Sequence, residues 1–372
     1  MTFIMLPDDM VLNCLARVSR LYYPILSLVS RRFRSLLTSL ELYQTRTLLG
    51  CTESCLYVCI ESHDDCNRTR LFTLCRRPTQ NTAPNPTLCI KPNKFLTKKE
   101  KRSRDKNLLV FVATHKFSYT NWWDCHLIAV GCNVYQVSHY TLSRVKFMDC
   151  RNHTWHKAPS MSVVRGYPNV SVLDGKIYVA GGLGDYDSSN WIECFDPKTK
   201  SWEHVPSPAA ELQEDFFLDS LAIDGKLYIS GSEKKSNMVY KLKENKWDVV
   251  GLTNTGWITS YSCVIDNILF GYGWSEKLEW YDFDGGSWKA LKGLKKLLKL
   301  LKDHNRIRLE NFGGKLAVLW DKDVHEEKVI WCAEIALEKR NEHEIHGKVE
   351  WCSVVLTVPI SCKFLLSFIV TV

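Results

Sequence analysis

The feature that most constrains this chain is a set of four short β-type runs, VSVL, KIYVA, WIECF and SWEHV, strung between Val170 and Pro206. Asp174-Gly175 alone joins the first two, and both positions tolerate positive φ, so the pair forms a tight hairpin turn whose twist matches the strands. A longer loop follows, then the turn Pro197-Lys198-Thr199-Lys200. Gly181-Gly182 ends the second run without side chains, which permits close backbone approach. One such sheet cannot bury two apolar faces by itself, so the chain must supply more of them.

It does so at a regular interval. The second-run signature returns as IDGKLYISGS (Ile223 to Ser232), IDNILFGYGW (Ile265 to Trp274) and NFGGKLAVLWD (Asn311 to Asp321), with a weaker copy, AVGCNVYQVS, at Ala129 to Ser138. The fourth-run tryptophan returns as Trp155, Trp202, Trp247 and Trp288, at steps of 47, 45 and 41 residues. Such steps suit a four-stranded unit of up to about 50 residues. The glycine pair, the later aromatic and the closing Trp resemble the kelch repeat, although Gly231-Ser232 replaces the glycine pair in one copy and Asn267 the turn glycine in another. That resemblance implies an all-β propeller. We expect blades at about 108–161, 162–207, 208–251, 252–294 and 295–358, plus one shared between the two ends of the chain, six in all; length alone leaves five or seven open. The shared blade would combine LYVCI (Leu56 to Ile60) and LFTLC (Leu71 to Cys75) with the C-terminal KFLLSFIVTV, because closure removes exposed sheet edges. Residues 76–107, rich in Pro, Asn and Lys, read as an exposed loop.

Residues 1–49 differ from everything after them. They contain no Gly and space their apolar residues helically: Leu6, Met10, Cys14 and Val18, then Ile25, Leu28 and Val29, then Phe33, Leu36, Leu37 and Leu40. Pro7 before Asp8 and Asp9 is a helix start, Pro24 begins a second helix, and Ser30 can cap a third. A small all-α unit of three helices carries more apolar positions than it can hide, so it needs the neighbouring domain or a separate partner. The order Leu6-Pro7, Leu15-Ala16-Arg17-Val18 and Leu26 through Leu36, with Val29-Ser30-Arg31-Arg32-Phe33-Arg34 inside it, resembles the F-box. The resemblance implies docking on a Skp-type adaptor and, through it, a cullin scaffold, with Leu6, Pro7, Val11, Leu15, Val18, Leu26, Val29, Ser30 and Phe33 facing or shaping the contact. The other reading of these helices is a cap packed on the propeller. The two modules together, residues 1–49 and 50–372, resemble the F-box/kelch-repeat proteins common in plants.

Composition narrows the function classes. No apolar run reaches the roughly 18 residues that cross a bilayer, and MTFIMLPDD is not a signal peptide, so no membrane role and a cytoplasmic or nuclear setting are expected. Of the fifteen cysteines most lie inside strand patterns. Cys51, Cys55, Cys59 and Cys66 with His63 fit no zinc template, which favours structural thiols over a metal cluster. The net charge of +8 concentrates at Lys91 to Lys106 and Lys289 to Arg308, neither interleaved with aromatics as nucleic-acid binding requires. LKGLKKLLKLLKDHNRIR has a helical apolar face; it reads as an inter-blade connector, with a membrane-surface or calmodulin-type helix as the alternative.

The sequence carries no Gly-x-Ser-x-Gly elbow, Walker loop, His-Glu-x-x-His or dinucleotide fingerprint, and no cofactor is implied. Asp185 and Asp187 belong to ordinary turn chemistry. The F-box/kelch resemblance implies a non-catalytic role, the target-recognition subunit of an SCF-type ubiquitin ligase, with Gly184, Asp185, Tyr186, Asp187, Glu233, Lys234 and Lys235 as candidate target contacts. The alternative is a kelch scaffold that engages no ligase.

Overall fold

The computed structural model describes residues 6–62, 68–75, 108–115, 125–138, 143–166, 168–182, 190–208, 219–230, 237–250, 262–273, 276–302, 304 and 307–372. Four short helices come first: α1 (Asp8–Ala16), α2 (Tyr23–Leu26), α3 (Arg31–Leu37) and α4 (Leu40–Leu48), with a 3-10 turn at Arg20–Tyr22 ahead of α2. Pro7 precedes α1, and Asp8 and Asp9 occupy its first turn, where carboxylates favour the positive end of the helix dipole. The Ser30 hydroxyl accepts from the Phe33 amide at 3.1 Å and caps α3. The expectation of three helices is corrected by α4. Gln44, Thr45 and Thr47 dilute its apolar periodicity, but Ser39 accepts from the Leu42 amide at 3.3 Å and restarts the helix after Thr38.

The described strands form six four-stranded antiparallel sheets. The first comprises β1 (Ser54–Ser62), β2 (Arg68–Cys75), β3 (Leu108–His115) and β24 (Lys363–Thr371), in the order β24-β1-β2-β3. Cys55 opposite Val370 and Tyr57 opposite Phe368 set the register between the two ends of the chain. Leu108–His115 was expected to open the second blade, and this is corrected: it pairs with β2 from Thr69↔His115 to Cys75↔Leu108. Among the described residues the first blade has no other outer strand, whereas the second is complete without it, as β4 (Cys125–Val130), β5 (Asn133–Ser138), β6 (Val145–Asp149) and β7 (Thr154–Ala158).

The third sheet holds β8 (Asn169–Leu173), β9 (Lys176–Ala180), β10 (Ile192–Asp196) and β11 (Ser201–His204), the four runs from which the repeat was read. The fourth holds β12 (Asp219–Ile223), β13 (Lys226–Ser230), β14 (Asn237–Lys241) and β15 (Lys246–Val250). The fifth holds β16 (Ser262–Ile265), β17 (Ile268–Tyr272), β18 (Leu278–Asp282) and β19 (Ser287–Ala290), and the sixth β20 (Ile307–Phe312), β21 (Lys315–Val324), β22 (Glu327–Asn341) and β23 (Glu344–Pro359). The hairpin turns take the left-handed conformation that their sequence demands: Asp174-Gly175 at φ 50° and 76°, Asp224-Gly225 at 51° and 66°, and Asp266-Asn267 at 50° and 58°. Asn267 replaces glycine without changing the turn.

The ring closes through its innermost strands. β24 meets β4, β4 meets β8, β8 meets β12, β16 meets β20, and β20 returns to β24. The core accordingly divides into wedges between neighbouring sheets. Tyr135, Val137 and Val145 face Ile177, Val179 and Phe195; Tyr178 and Ile192 face Leu227, Ile229 and Tyr240; Leu221 and Ile223 face Leu269 and Tyr281. Phe270 and Trp280 pack with Leu309, Leu316 and Trp320, while Leu56, Val58 and Ile60 pack with Phe312, Leu319 and Ile330. In the third and fourth blades the recurrent tryptophan fastens the blade to the segment that enters it. Trp202 Nε1 donates to the Pro159 carbonyl at 3.0 Å, and Trp247 Nε1 to that of Pro206 at 2.6 Å. Trp288 lies against Gly271, where an added Cβ would come within 2.8 Å of its ring.

The leucine- and lysine-rich stretch forms α5 (Lys295–Leu301), a connector between the fifth and sixth sheets. Leu291, Leu294, Leu297 and Leu301 are buried against Trp280, Leu309 and Ile335, so its apolar face is already occupied. Residues 76–107 lie outside the described residues.

Candidate functional site

The helices pack on the ring where the first and second sheets meet. Val11, Leu15, Ala16, Tyr23, Leu37, Leu42 and Tyr43 share one buried cluster with Tyr57, Val134, Met148, Phe368 and Val370. Leu6, Val18, Leu26 and Phe33 are half-buried against the same cluster. The nine residues named from the sequence therefore divide by depth. Val11 and Leu15 are fully inside and shape the unit from within, and Ser30 holds the start of α3. Pro7 and Val29 stand outside, Val29 at 64% exposure.

Other exposed apolar residues extend that outer surface: Leu28 at 76% exposure and Met10 at 53%. Arg32 ties the two helix starts together, donating to the Leu6 carbonyl at 2.5 Å and pairing with Asp8 at 2.6 Å. Pro7, Leu28 and Val29 are thus held on a fixed frame. Leu28, counted in the helical spacing but not among the contact residues named from the sequence, lies in the turn between α2 and α3, with its amide bonded to the Ile25 carbonyl at 3.0 Å.

A polar network, unforeseen from the sequence, joins the helices to the ring. Arg46 on α4 is 1% exposed and donates to the carbonyls of Ala16 and Val18 at 3.0 and 2.8 Å and to the Tyr23 hydroxyl at 2.9 Å. It also pairs with Glu53 at 3.2 Å. Arg20 donates to the Cys55 thiol and the Cys150 carbonyl, each at 3.2 Å. Tyr57 meets His153 at 3.0 Å, and burial together with the Arg20 charge pushes His153 down to about 4, leaving it neutral. Burial raises the Cys59 and Cys150 thiols well above their ordinary value, so they remain protonated packing groups.

Gly184, Asp185, Tyr186, Asp187, Glu233, Lys234 and Lys235 lie outside the described residues, but their anchors are visible. Arg165 donates to the carbonyls of Gly181, Trp191 and Asn190 at 2.8, 2.9 and 2.6 Å, holding both sides of the connection between β9 and β10. Gly182 comes so close to Gly166 that its carbonyl accepts from the Gly166 amide at 2.6 Å. The helices contact Glu53 just ahead of β1, Cys132 in the turn between first and second strands of the second sheet, and Cys150–Arg151 in the turn between its third and fourth strands. In an up-and-down sheet, connections between second and third strands fall at the other end, so Gly182 and Asn190, with Ser230 and Asn237, stand away from the helices. Among the described residues, no group of three or more His, Cys, Asp or Glu side chains gathers as a metal site.

Known proteins match both parts of this architecture. Residues 3–45 match the F-box domain, and residues 71–356 match the FKB95 kelch-repeats domain. The chain belongs to the F-box/kelch-repeat family. The Arabidopsis thaliana F-box/kelch-repeat chain At4g11750 is 51% identical over 99% of this chain and 97% of its own length. F-box/kelch-repeat protein At4g39550 of the same plant is 43% identical over 96% of this chain and 91% of its own. F-box domains generally bind Skp-type adaptors, and F-box/kelch proteins are generally non-catalytic adaptors.

Proposed function

We propose that this chain is the target-recognition subunit of an SCF-type cullin-RING ubiquitin ligase, acting in the cytoplasm or nucleus. Residues 1–49 dock a Skp-type adaptor, and the propeller of residues 50–372 holds the protein to be modified. The observation that carries this reading is the division of the F-box surface: one side is buried on the ring, while Pro7, Met10, Leu28 and Val29 stay exposed on a frame braced by Arg32. Apolar residues held rigidly outside a folded domain suit a second protein. Connections anchored at the opposite end of the ring suit a target held clear of the adaptor, and transfer then follows from the raised local concentration of target lysines.

Co-purification of the full chain with a Skp-type adaptor and a cullin tests the reading. The intact chain should retain both, and Leu28→Asp with Val29→Asp should release them while the ring stays folded. Failure of the intact chain to bind the adaptor would leave a kelch scaffold outside any ligase.

A further inference from the structure

The connection between the two modules is short and is overlaid by side-chain contacts that do not depend on it. Arg20, in the 3-10 turn between α1 and α2, reaches three elements at once. Its guanidinium contacts Cys55 on β1, the Cys150 carbonyl beyond β6, and the Tyr43 ring of α4 at 5.7 Å. Its backbone amide donates to Glu53 Oε2 at 3.2 Å. Tyr43 lies between two guanidinium groups, with Arg151 6.0 Å from its ring, and its hydroxyl donates to the Arg151 carbonyl at 3.4 Å. Arg151 is itself fixed by Asp149 at 2.6 Å. Glu53 receives Arg46 from the helices, while its backbone exchanges hydrogen bonds with Val372 at 2.7 and 2.9 Å, at the end of the ring-closing strand.

We propose that Arg20 is a positioning residue that locks the F-box helices to the seam between the first and second blades, so that side-chain contacts, rather than the peptide connection at Gly50 to Thr52, set the orientation of the two modules. A planar guanidinium suits this task because it can donate to two sheets while stacking on an aromatic ring, which an ammonium cannot reproduce. Its consequence for ubiquitin transfer, a fixed direction from adaptor to target, rests on the ligase reading above. The lock itself does not.

The test therefore uses the full chain without any adaptor. Spin labels on non-natural amino acids at Glu41 and Lys243, both exposed, report the distance between helices and ring by pulsed electron paramagnetic resonance. The native chain should give one narrow distance. Inserting Gly-Ser-Gly after Gly50 should leave it unchanged, whereas the same insertion with Arg20→Ala should broaden it at least twofold, with helical circular dichroism retained. Broadening by the insertion alone, or an unchanged distance in the combined variant, overturns the proposal. Loss of the helical signal in Arg20→Ala would make Arg20 a folding residue and overturn it equally. Tyr43→Phe with the insertion removes one hydroxyl from the seam and should also broaden the distance; an unchanged distance there counts against the lock. A lock found in a chain that binds no adaptor sinks the ligase reading alone.

Discussion

Arg165 donates through Nε to Glu193 Oε1 at 3.0 Å with both side chains buried, and the two cannot be removed one at a time without consequence. Glu193 also accepts from the amide and hydroxyl of Ser162 at 2.9 and 2.8 Å, so the pair ties the segment entering the third blade to β10. Glu193→Ala strands a buried guanidinium, and breaking such a pair costs about 3–5 kcal/mol. The urea midpoint should fall accordingly. Replacing both residues by leucine should cost less than the two single changes added together, because no unpaired charge remains even though Ser162 and the carbonyls of Gly181, Asn190 and Trp191 lose their partners; a double variant that costs the full sum would contradict this account.

Two glycines of the third blade should respond differently to alanine. Both have positive φ, +68° at Gly182 and +76° at Gly175, and each carries the left-handed penalty of about 1–2 kcal/mol. A Cβ at Gly175 meets nothing within 4 Å, but at Gly182 it falls 2.3 Å from the Gly166 carbonyl oxygen, and backbone cannot step aside as a side chain can. Thermal melting should show Gly182→Ala clearly below Gly175→Ala. Equal losses would mean that the close approach at the glycine pair is relaxed in solution.

Glu310 and Ser367 meet at 2.6 Å on the neighbouring inner strands β20 and β24, and burial pushes the Glu310 carboxyl up to about 7 against the opposing effects of Ser367 and Arg308. The sign follows directly. A carboxyl whose pKa is raised by folding stabilises the fold fully below its unfolded value of about 4.3, and that contribution is lost as pH rises through about 7. Glu310→Gln should therefore gain stability relative to the parent at pH 8 and little at pH 5, judged by urea midpoints. His153, depressed to about 4, loses stability in the opposite direction as pH falls, but it is common to both proteins and cancels in the comparison.

Depth should separate docking from folding among the F-box residues. Val29→Asp changes an exposed side chain and should lower adaptor affinity by tenfold or more with little change in melting temperature, as truncation of an interface anchor does. Val11→Ala empties a fully buried site shared with the ring and should lower stability by about 1–3 kcal/mol. Calorimetric titration of adaptor, paired with melting curves, distinguishes the two. Identical behaviour would remove the distinction between outer and inner faces.

Much of the fold was legible because it repeats. Asp-Gly turns, glycine pairs and the closing Trp are local requirements of hairpins and blade seams; the Trp recurs at positions 155, 202, 247 and 288, while the turn and glycine signals return with substitutions such as Asn267 and Ser232. The candidate site was less legible. Leu28 follows the spacing of its neighbours yet stands outside, because the chain leaves the helix after Leu26. The span Leu108–His115 is as apolar as any opening strand, and only the unfilled edge of β2 claims it.

By itself the sequence determined the local alphabet: where turns must take positive φ, where helices start, and which module resembles which family. These depend on steric and capping rules that act within a few residues. The tertiary structure decided what distant residues do for one another. Arg20 and Arg46 look like ordinary surface cations in the primary structure, but the fold brings them to Cys150, Cys55 and Glu53, where a guanidinium out of water must satisfy its donors on whatever carbonyls and carboxylates surround it. Which F-box residues face inward was likewise settled by the seam between two blades, because burial is a property of the partner surface as much as of the side chain.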